Sequence, residues 1–387
     1  MRQHVYLSPG MFGFGRLGSY NYFAHVEREL TARFAAAGHE LVVHVIEDLP
    51  TASIRRRATR LAEIVAQTSG ADPIHLLGHS TGGLDARLAA SPATRSIPAA
   101  TLAWLPRLRS VTAMNTPHYG TPLASFFATA RGQRVLAALS VLTVTGLSIG
   151  AQPLAAASVI LGVLQGLDGL VPFKLQLLDR TIASLIGLVD DARSPEIRVF
   201  LTGIEDDQGS MLQLSPESMD LVVAGFEDRP GVAYQSTASM APSPQPGRWL
   251  STLGQPWRTM SLSLFFALHA ITARHDARYP CGAMRDTAPW SGAANEAFLT
   301  RALPASPPLE ANDGVVPLRS QLWGTLVWAG LGDHLDVLGH YRDHRDPSTV
   351  PSELRHRDWL TSSSNFGAAE FAALMDAIVT GMLNAHG

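Results

Sequence analysis

The segment Pro73–Arg87, PIHLLGHSTGGLDAR, constrains this chain more than any other. A short apolar run, Ile74 to Leu77, meets Gly78-His79-Ser80-Thr81-Gly82 and passes directly into a helical pattern over Thr81 to Ala90. So tight a turn from buried strand to helix has no room for side chains two positions before or after the serine. It forces Ser80 into a strained backbone, exposes its hydroxyl and aims a helix N-terminus at it. The N–H of Thr81 is then one oxyanion donor. A second match to G-x-S-x-G, Gly146-Leu147-Ser148-Ile149-Gly150, lies in an uncharged stretch with Pro153 soon after it and no acid or histidine nearby. Context favours Ser80, because its strand belongs to a regular alternation, while Ser148 reads as a small residue in helix packing.

That alternation fills the first third of the chain. His4 to Ser8, Leu41 to Ile46, Ile74 to Leu77 and Arg109 to Met114 read as strands. Tyr20 to Ala37, Ala52 to Thr68 and Thr81 to Ala90 read as helices, the first closed by Gly38. Continuous apolar strands between helices predict an α/β fold, a mostly parallel sheet covered on both faces. The pattern breaks at Val135 to Leu167, where no residue is charged, and Leu262 to Ile271 is similarly apolar. Gly231 to Met240 and Gln321 to Ala329 read as late strands, Ser243 to Pro256 as loop, and Phe366 to Ala385 as a closing helix.

Composition narrows the function. Lys and Arg total 30 against 33 Asp and Glu, a net charge of −3, so no excess of positive charge suits a phosphate backbone and nucleic acid is not an expected partner. Cys281 is the single cysteine, which excludes an internal disulfide and a Cys-rich zinc site. The start, MRQHVYLSPG, lacks the basic head and apolar run of a secretory signal. The expectation is a cytoplasmic location unless a leader was removed. Gly13-Phe14-Gly15-Arg16-Leu17-Gly18 fits G-x-G-x-x-G but lacks an immediate helix start and a placed acidic partner, so no cofactor is expected.

A serine becomes a nucleophile only when a histidine takes its proton and a carboxylate orients that histidine. Asp313, in the turn Asn312-Asp313-Gly314, is the candidate acid on what reads as an exposed loop. His334, in Gly332-Asp333-His334-Leu335-Asp336 after the strand GTLVWAG, is the candidate base. His340, His344 and His356 are rivals that read instead as a solvated charged loop, and Asp333 and Asp336 are too close in sequence to His334 to reach its far nitrogen easily. The second oxyanion donor falls to the loop after the first strand, where Gly10 lets backbone approach and Met11 supplies the N–H.

Five ordered motifs, PGMFGF, GHSTGG, TPHYGTPLA, NDGVVP and DHLDV, resemble the α/β-hydrolase superfamily and within it the bacterial true lipases. LSPESMDL, Leu214 to Leu221, is similar to a short segment of those lipases. The resemblance implies an α/β-hydrolase fold, with Ser80 as nucleophile, Asp313 as acid, His334 as base, and Met11 with Thr81 as oxyanion donors. This chain departs from it at Pro9-Gly10, where those lipases usually carry His-Gly. Some of them hold a structural calcium through an Asp two residues after the histidine. Asp336 has that position here, reads as a loop-fixing carboxylate, and no required metal is expected.

These readings divide the chain into 1–122 and 231–387 as hydrolase core, with a further apolar helical segment near 257–275, and 123–230 as a large helical cap. An apolar cap would cover an acyl pocket and touch a lipid surface transiently, whereas glycines and Pro153 interrupt Val135–Leu167 as a membrane span. The expected activity is hydrolysis of carboxylic esters with apolar medium or long acyl chains. Acyl transfer, polyester cleavage and a non-catalytic lipid-binding role with an unused triad are the alternatives.

Overall fold

A computed structural model describes residues 1–387 apart from 12–15, 18–19, 48–50, 150–151, 166–170, 189–194, 196–201, 203–208, 275, 277, 279–280, 282–292, 344–349, 352–353 and 386–387. Six strands form one wholly parallel sheet: β1 (Arg2–Ser8), β2 (Glu40–Val45), β3 (Ile74–His79), β4 (Leu108–Met114), β5 (Ala233–Met240) and β6 (Thr325–Leu331). Their order is β2-β1-β3-β4-β5-β6. Parallel neighbours need crossovers, and helices supply them.

Alternate residues of the central strands β1, β3 and β4 enter different apolar clusters. Val5, Leu7, Leu77 and Met114 join α1 (Ala24–Ala36) and the C-terminal helix Ala368–Leu383 on one face. Tyr6, Leu76 and Val111 join α2 (Ile54–Thr68) and α3 (Thr81–Ala90) on the other. The period-two pleat therefore loads both faces with apolar side chains, which is why the strands read as unbroken hydrophobic runs. In α2 the buried positions Ile54, Ala58, Leu61, Ala62 and Val65 recur at helical spacing. Each large aliphatic side chain there stabilises by about 1.5–3 kcal/mol.

Between β4 and β5 the described residues include the helices Pro122–Phe127, Ala130–Ile149, Leu154–Leu164, Val171–Gly187, Gly209–Gln213 and Pro216–Ala224. The uncharged stretch thus forms two helices. Their buried residues, Val135, Leu139, Leu142 and Ile160 among them, belong to the same apolar cluster as α1 and the sheet. Among the described residues no helix is long and apolar enough to cross a membrane.

Two local expectations are corrected. Pro246–Thr252, expected as loop, is a 3-10 helix with proline at its first position, where a missing N–H costs nothing. Leu318–Gln321 is likewise a 3-10 helix, so β6 begins at Thr325 rather than Gln321.

Candidate active site

Ser80 sits between the end of β3 and the start of α3 with φ 55° and ψ −127°, a positive φ that a serine adopts only under constraint. Its N–H is held by the carbonyl of Met114, 2.9 Å away. The glycines around it are needed for space. A Cβ on Gly78 would lie 2.0 Å from the Gly82 carbonyl carbon, and one on Gly82 would lie 2.0 Å from the Ser8 carbonyl oxygen. Ser148, by contrast, lies within the helix Ala130–Ile149.

The loop after β1 passes directly over the serine. A Cβ built on Gly10 would come within 2.7 Å of Ser80 Cβ and 3.3 Å of its Oγ. Met11, next along, is buried, as is Thr81. The remainder of the expected motif, Phe12 to Phe14, and most of the Gly13–Gly18 pattern lie outside the described residues.

Asp313 and His334 meet. His334 Nδ1 is 2.7 Å from Asp313 Oδ2, and the His334 backbone N–H donates to the Asp313 carbonyl at 3.0 Å. Asp313 was expected on an exposed loop, but its side chain is 0% accessible. The turn folds inward because Asn312 Oδ1 accepts the Gly314 N–H at 2.8 Å and Gly314 packs under Phe265. Inside, the Asp313 carboxylate is saturated. Oδ1 accepts the N–H groups of Val315 (2.9 Å) and Val316 (2.7 Å), and Oδ2 also accepts from Asn115 Nδ2 at 3.1 Å.

His79, the residue before the serine, reaches this pair. Its Nε2 donates to the His334 carbonyl at 3.0 Å, and the two imidazole rings lie 4.6 Å apart. Motifs distant in sequence also meet here. The Thr121 N–H donates to the Leu214 carbonyl at 3.0 Å, joining TPHYGTPLA to LSPESMDL, and the Thr121 hydroxyl donates to the Val315 carbonyl at 2.5 Å.

The rival histidines are not a solvated loop. His340 is buried, and its ring lies 5.7 Å from that of His25. His356 stacks on His25 at 4.1 Å and on Tyr341 at 4.3 Å, while His344 lies outside the described residues. Aromatic faces packed around His25 explain the inward fold. Burial pushes His25 down to about 2 and His340 to about 3, leaving both neutral.

Asp333 and Asp336 brace the histidine loop. Asp333 Oδ1 accepts the N–H groups of Leu335 (2.9 Å) and Asp336 (3.0 Å). Asp336 Oδ2 accepts from the Asp333 N–H and the Ser364 hydroxyl, both at 2.8 Å. Burial raises both acids, Asp333 to about 6, and the proximity of Asp333 pushes Asp336 up further. The cavity beside Asp336 is about 230 Å³ and is lined by Arg258, Arg342 and Asp358 as well. Two guanidinium groups already balance its carboxylates, so the residues do not fit a calcium ion there.

Five contributors were missed in the motif reading. Asn115, with φ 47°, follows β4 and reaches both Asp313 and Ser239. Arg57 and Asp85 form a buried ion pair at 2.8 Å under the Gly10 loop. Asp85 also accepts from the Ser8 hydroxyl at 2.9 Å, and Arg57 donates to the Pro9 carbonyl. A usable signal existed for Arg57, a charge set into the buried stripe of α2. His79 and Tyr22, 2.7 Å apart between ring nitrogen and hydroxyl, complete the surroundings of the serine.

No family model matches the chain. Over 145 residues it is 29% identical to a triacylglycerol lipase of Pseudomonas fragi, a match covering 36% of this chain and 44% of the relative. The chain thus matches less than half of that curated relative's length. Among solved structures it is similar to a Staphylococcus hyicus lipase, at 15% identity and a TM-score of 0.48 over 98% of this chain and 96% of that one. EstA from Clostridium botulinum aligns at 16% identity and a TM-score of 0.46, covering 95% and 87%. Lipase 1 from Pelosinus fermentans aligns at 15% and 0.47, covering 93% and 97%. The chain is similar to bacterial lipases and esterases.

Proposed function

We propose that this chain is a serine hydrolase of carboxylic esters built on an α/β-hydrolase core. The observation that carries the reading is the buried Asp313–His334 pair, 2.7 Å apart, with the His334 ring 4.6 Å from that of His79, the residue before a serine held at a positive φ. His334 Nε2 takes the Ser80 proton as Oγ attacks the ester carbonyl, and Asp313 holds Nδ1–H and stabilises the imidazolium. The tetrahedral oxyanion is met by the N–H groups of Met11 and Thr81. It collapses, the alcohol leaves with the proton from His334, and an acyl group remains on Ser80. Water, deprotonated by the same imidazole, then releases the acid and restores the hydroxyl.

The helical segment between β4 and β5 supports a cap over the acyl group, and its uncharged stretch Val135–Leu167 favours medium or long apolar chains. Such a cap would also meet a lipid surface transiently. Labelling with a fluorophosphonate, followed by mass mapping, is expected to place the adduct on Ser80. Turnover of p-nitrophenyl esters is expected to rise from acetate towards octanoate. Full activity in Ser80→Ala, or an adduct on Ser148, would overturn the assignment.

A further inference from the structure

The chemistry above leaves two buried polar groups beside the serine without a task, the imidazole of His79 and the phenol of Tyr22. Both are fully enclosed, at 0% and 4% accessible. Their hydrogen bonds run in one direction. The His334 carbonyl can only accept, so His79 Nε2 must carry the proton of that 3.0 Å bond. Burial holds His79 far below the ordinary imidazole range, with the neighbouring His334 adding to the effect, so the ring is neutral and Nδ1 is a bare lone pair. Tyr22 must therefore donate its hydroxyl proton to Nδ1, at 2.7 Å. The phenol oxygen is left to accept, and it takes the backbone N–H of Gly10, which lies so close that a Cβ built on that glycine would come within 3.0 Å of the oxygen.

We propose that Tyr22 and His79 are a positioning pair, a one-way chain of hydrogen bonds from the Gly10 backbone to the His334 carbonyl that sets the oxyanion loop and the base around Ser80. The inference rests on the hydrolase reading of Ser80, His334 and Met11. Three segments that share no secondary-structure element are joined: the loop after β1, the end of β3 and the loop after β6. Because Gly10 spends its N–H on the phenol, the next amide, that of Met11, is the one left to turn towards the oxyanion. Tyr22 suits the task, since its ring has few rotamers and is wedged edge-on against Phe23 at 4.9 Å. A neutral His79 also keeps a second cation away from His334, 4.6 Å away, as that imidazole takes up the serine proton.

The test compares the parent chain with Tyr22→Phe, His79→Gln and the double variant. Each single variant is expected to lower kcat about tenfold to a hundredfold, with KM within about twofold, because ground-state binding does not use the chain. The double variant is expected to be no worse than the weaker single one, since either change breaks the same chain. Long-range ¹⁵N–¹H NMR is expected to show His79 as the Nε2–H tautomer, with Nδ1 shifting in Tyr22→Phe. An active parent labelled at Ser80, with unchanged Tyr22→Phe kinetics or additive losses in the double variant, overturns the positioning pair alone. The Nδ1–H tautomer in the parent does the same. A parent that neither turns over esters nor labels at Ser80 overturns the hydrolase reading and the pair with it.

Discussion

The side-chain amide of Asn115 donates to Asp313 Oδ2 at 3.1 Å, the same oxygen that holds His334 Nδ1 at 2.7 Å. Asn115 is itself fixed from both sides, donating to the Ser239 hydroxyl at 2.6 Å and donating its backbone N–H to the Thr237 carbonyl at 3.2 Å. Strand β5 thereby sets where the carboxylate can sit. Asn115→Ala removes one of four donors to Asp313 and places a residue less tolerant of positive φ at this turn. We expect a loss of about 1–3 kcal/mol in urea unfolding and about a tenfold drop in kcat. Parent-like stability together with parent-like kcat would contradict this account of the carboxylate.

The ion pair beneath the Gly10 loop gives a second prediction. Arg57 and Asp85 are 2% and 0% accessible, so removing one leaves a charge stranded in the core. Arg57→Leu is expected to cost about 3–5 kcal/mol, while Arg57→Leu combined with Asp85→Leu recovers most of that. Denaturant titration of the two variants checks it. Equal losses in both would mean that packing rather than the uncompensated charge dominates.

Gly82→Ala tests the space around the serine. Its new methyl would overlap the Ser8 carbonyl oxygen, 2.0 Å away, and push the loop carrying Gly10 off Ser80. Because that neighbour is backbone, it cannot rotate aside. The expected result is at least a hundredfold loss of ester turnover, with about 1–3 kcal/mol of lost stability from overpacking. Turnover within threefold of the parent would show that the loop has slack.

Stability is expected to fall as the solution is acidified below about pH 6.5. Burial lowers His75 and His269 to about 4 and His340 to about 3, from an unfolded value of 6.5. Between those values the unfolded chain binds more protons than the folded one, so stability present above pH 6.5 is lost on the way down. Asp333 and Asp358, raised to about 6 and about 7, act in the opposite sense over pH 4 to 7 and soften the slope. Thermal unfolding at pH 7, 6 and 5 reads the balance, and His340→Gln is expected to flatten it. A melting temperature that rises on acidification would reverse the sign.

Calcium and its chelation are expected to leave the melting temperature unchanged within about a degree, since a bound ion would stabilise by mass action. The basis is the pair of guanidinium groups, Arg258 and Arg342, beside Asp336. A calcium-dependent rise of several degrees would show that these arginines swing away.

The parallel sheet was legible residue by residue because both faces are buried, and double burial leaves a continuous apolar run that needs no partner to be recognised. The strained turn at Ser80 was legible for a similar reason. Gly78 and Gly82 answer a local clash, and that clash is set by the few residues on either side of them. Asp313 and His334 could be picked from turn signals and chain order. Yet the inward fold of Asp313 depends on Asn312, Phe265 and Asn115, which no local pattern connects to it.

His340 and His356 show the limit most sharply. They lie in and after the polar segment HYRDHRD, yet His25 on α1 presents a ring against which both pack. Arg57 was hidden in the same way, as one arginine among several whose partner lies 28 positions away on α3. The sequence by itself determined the alternating sheet and helices and the strained turn at Ser80, because each follows from periodicity or from sterics within a few residues. Only the tertiary structure decided which polar side chains are buried and what satisfies them, because a buried hydrogen bond needs both partners and those partners come from distant segments.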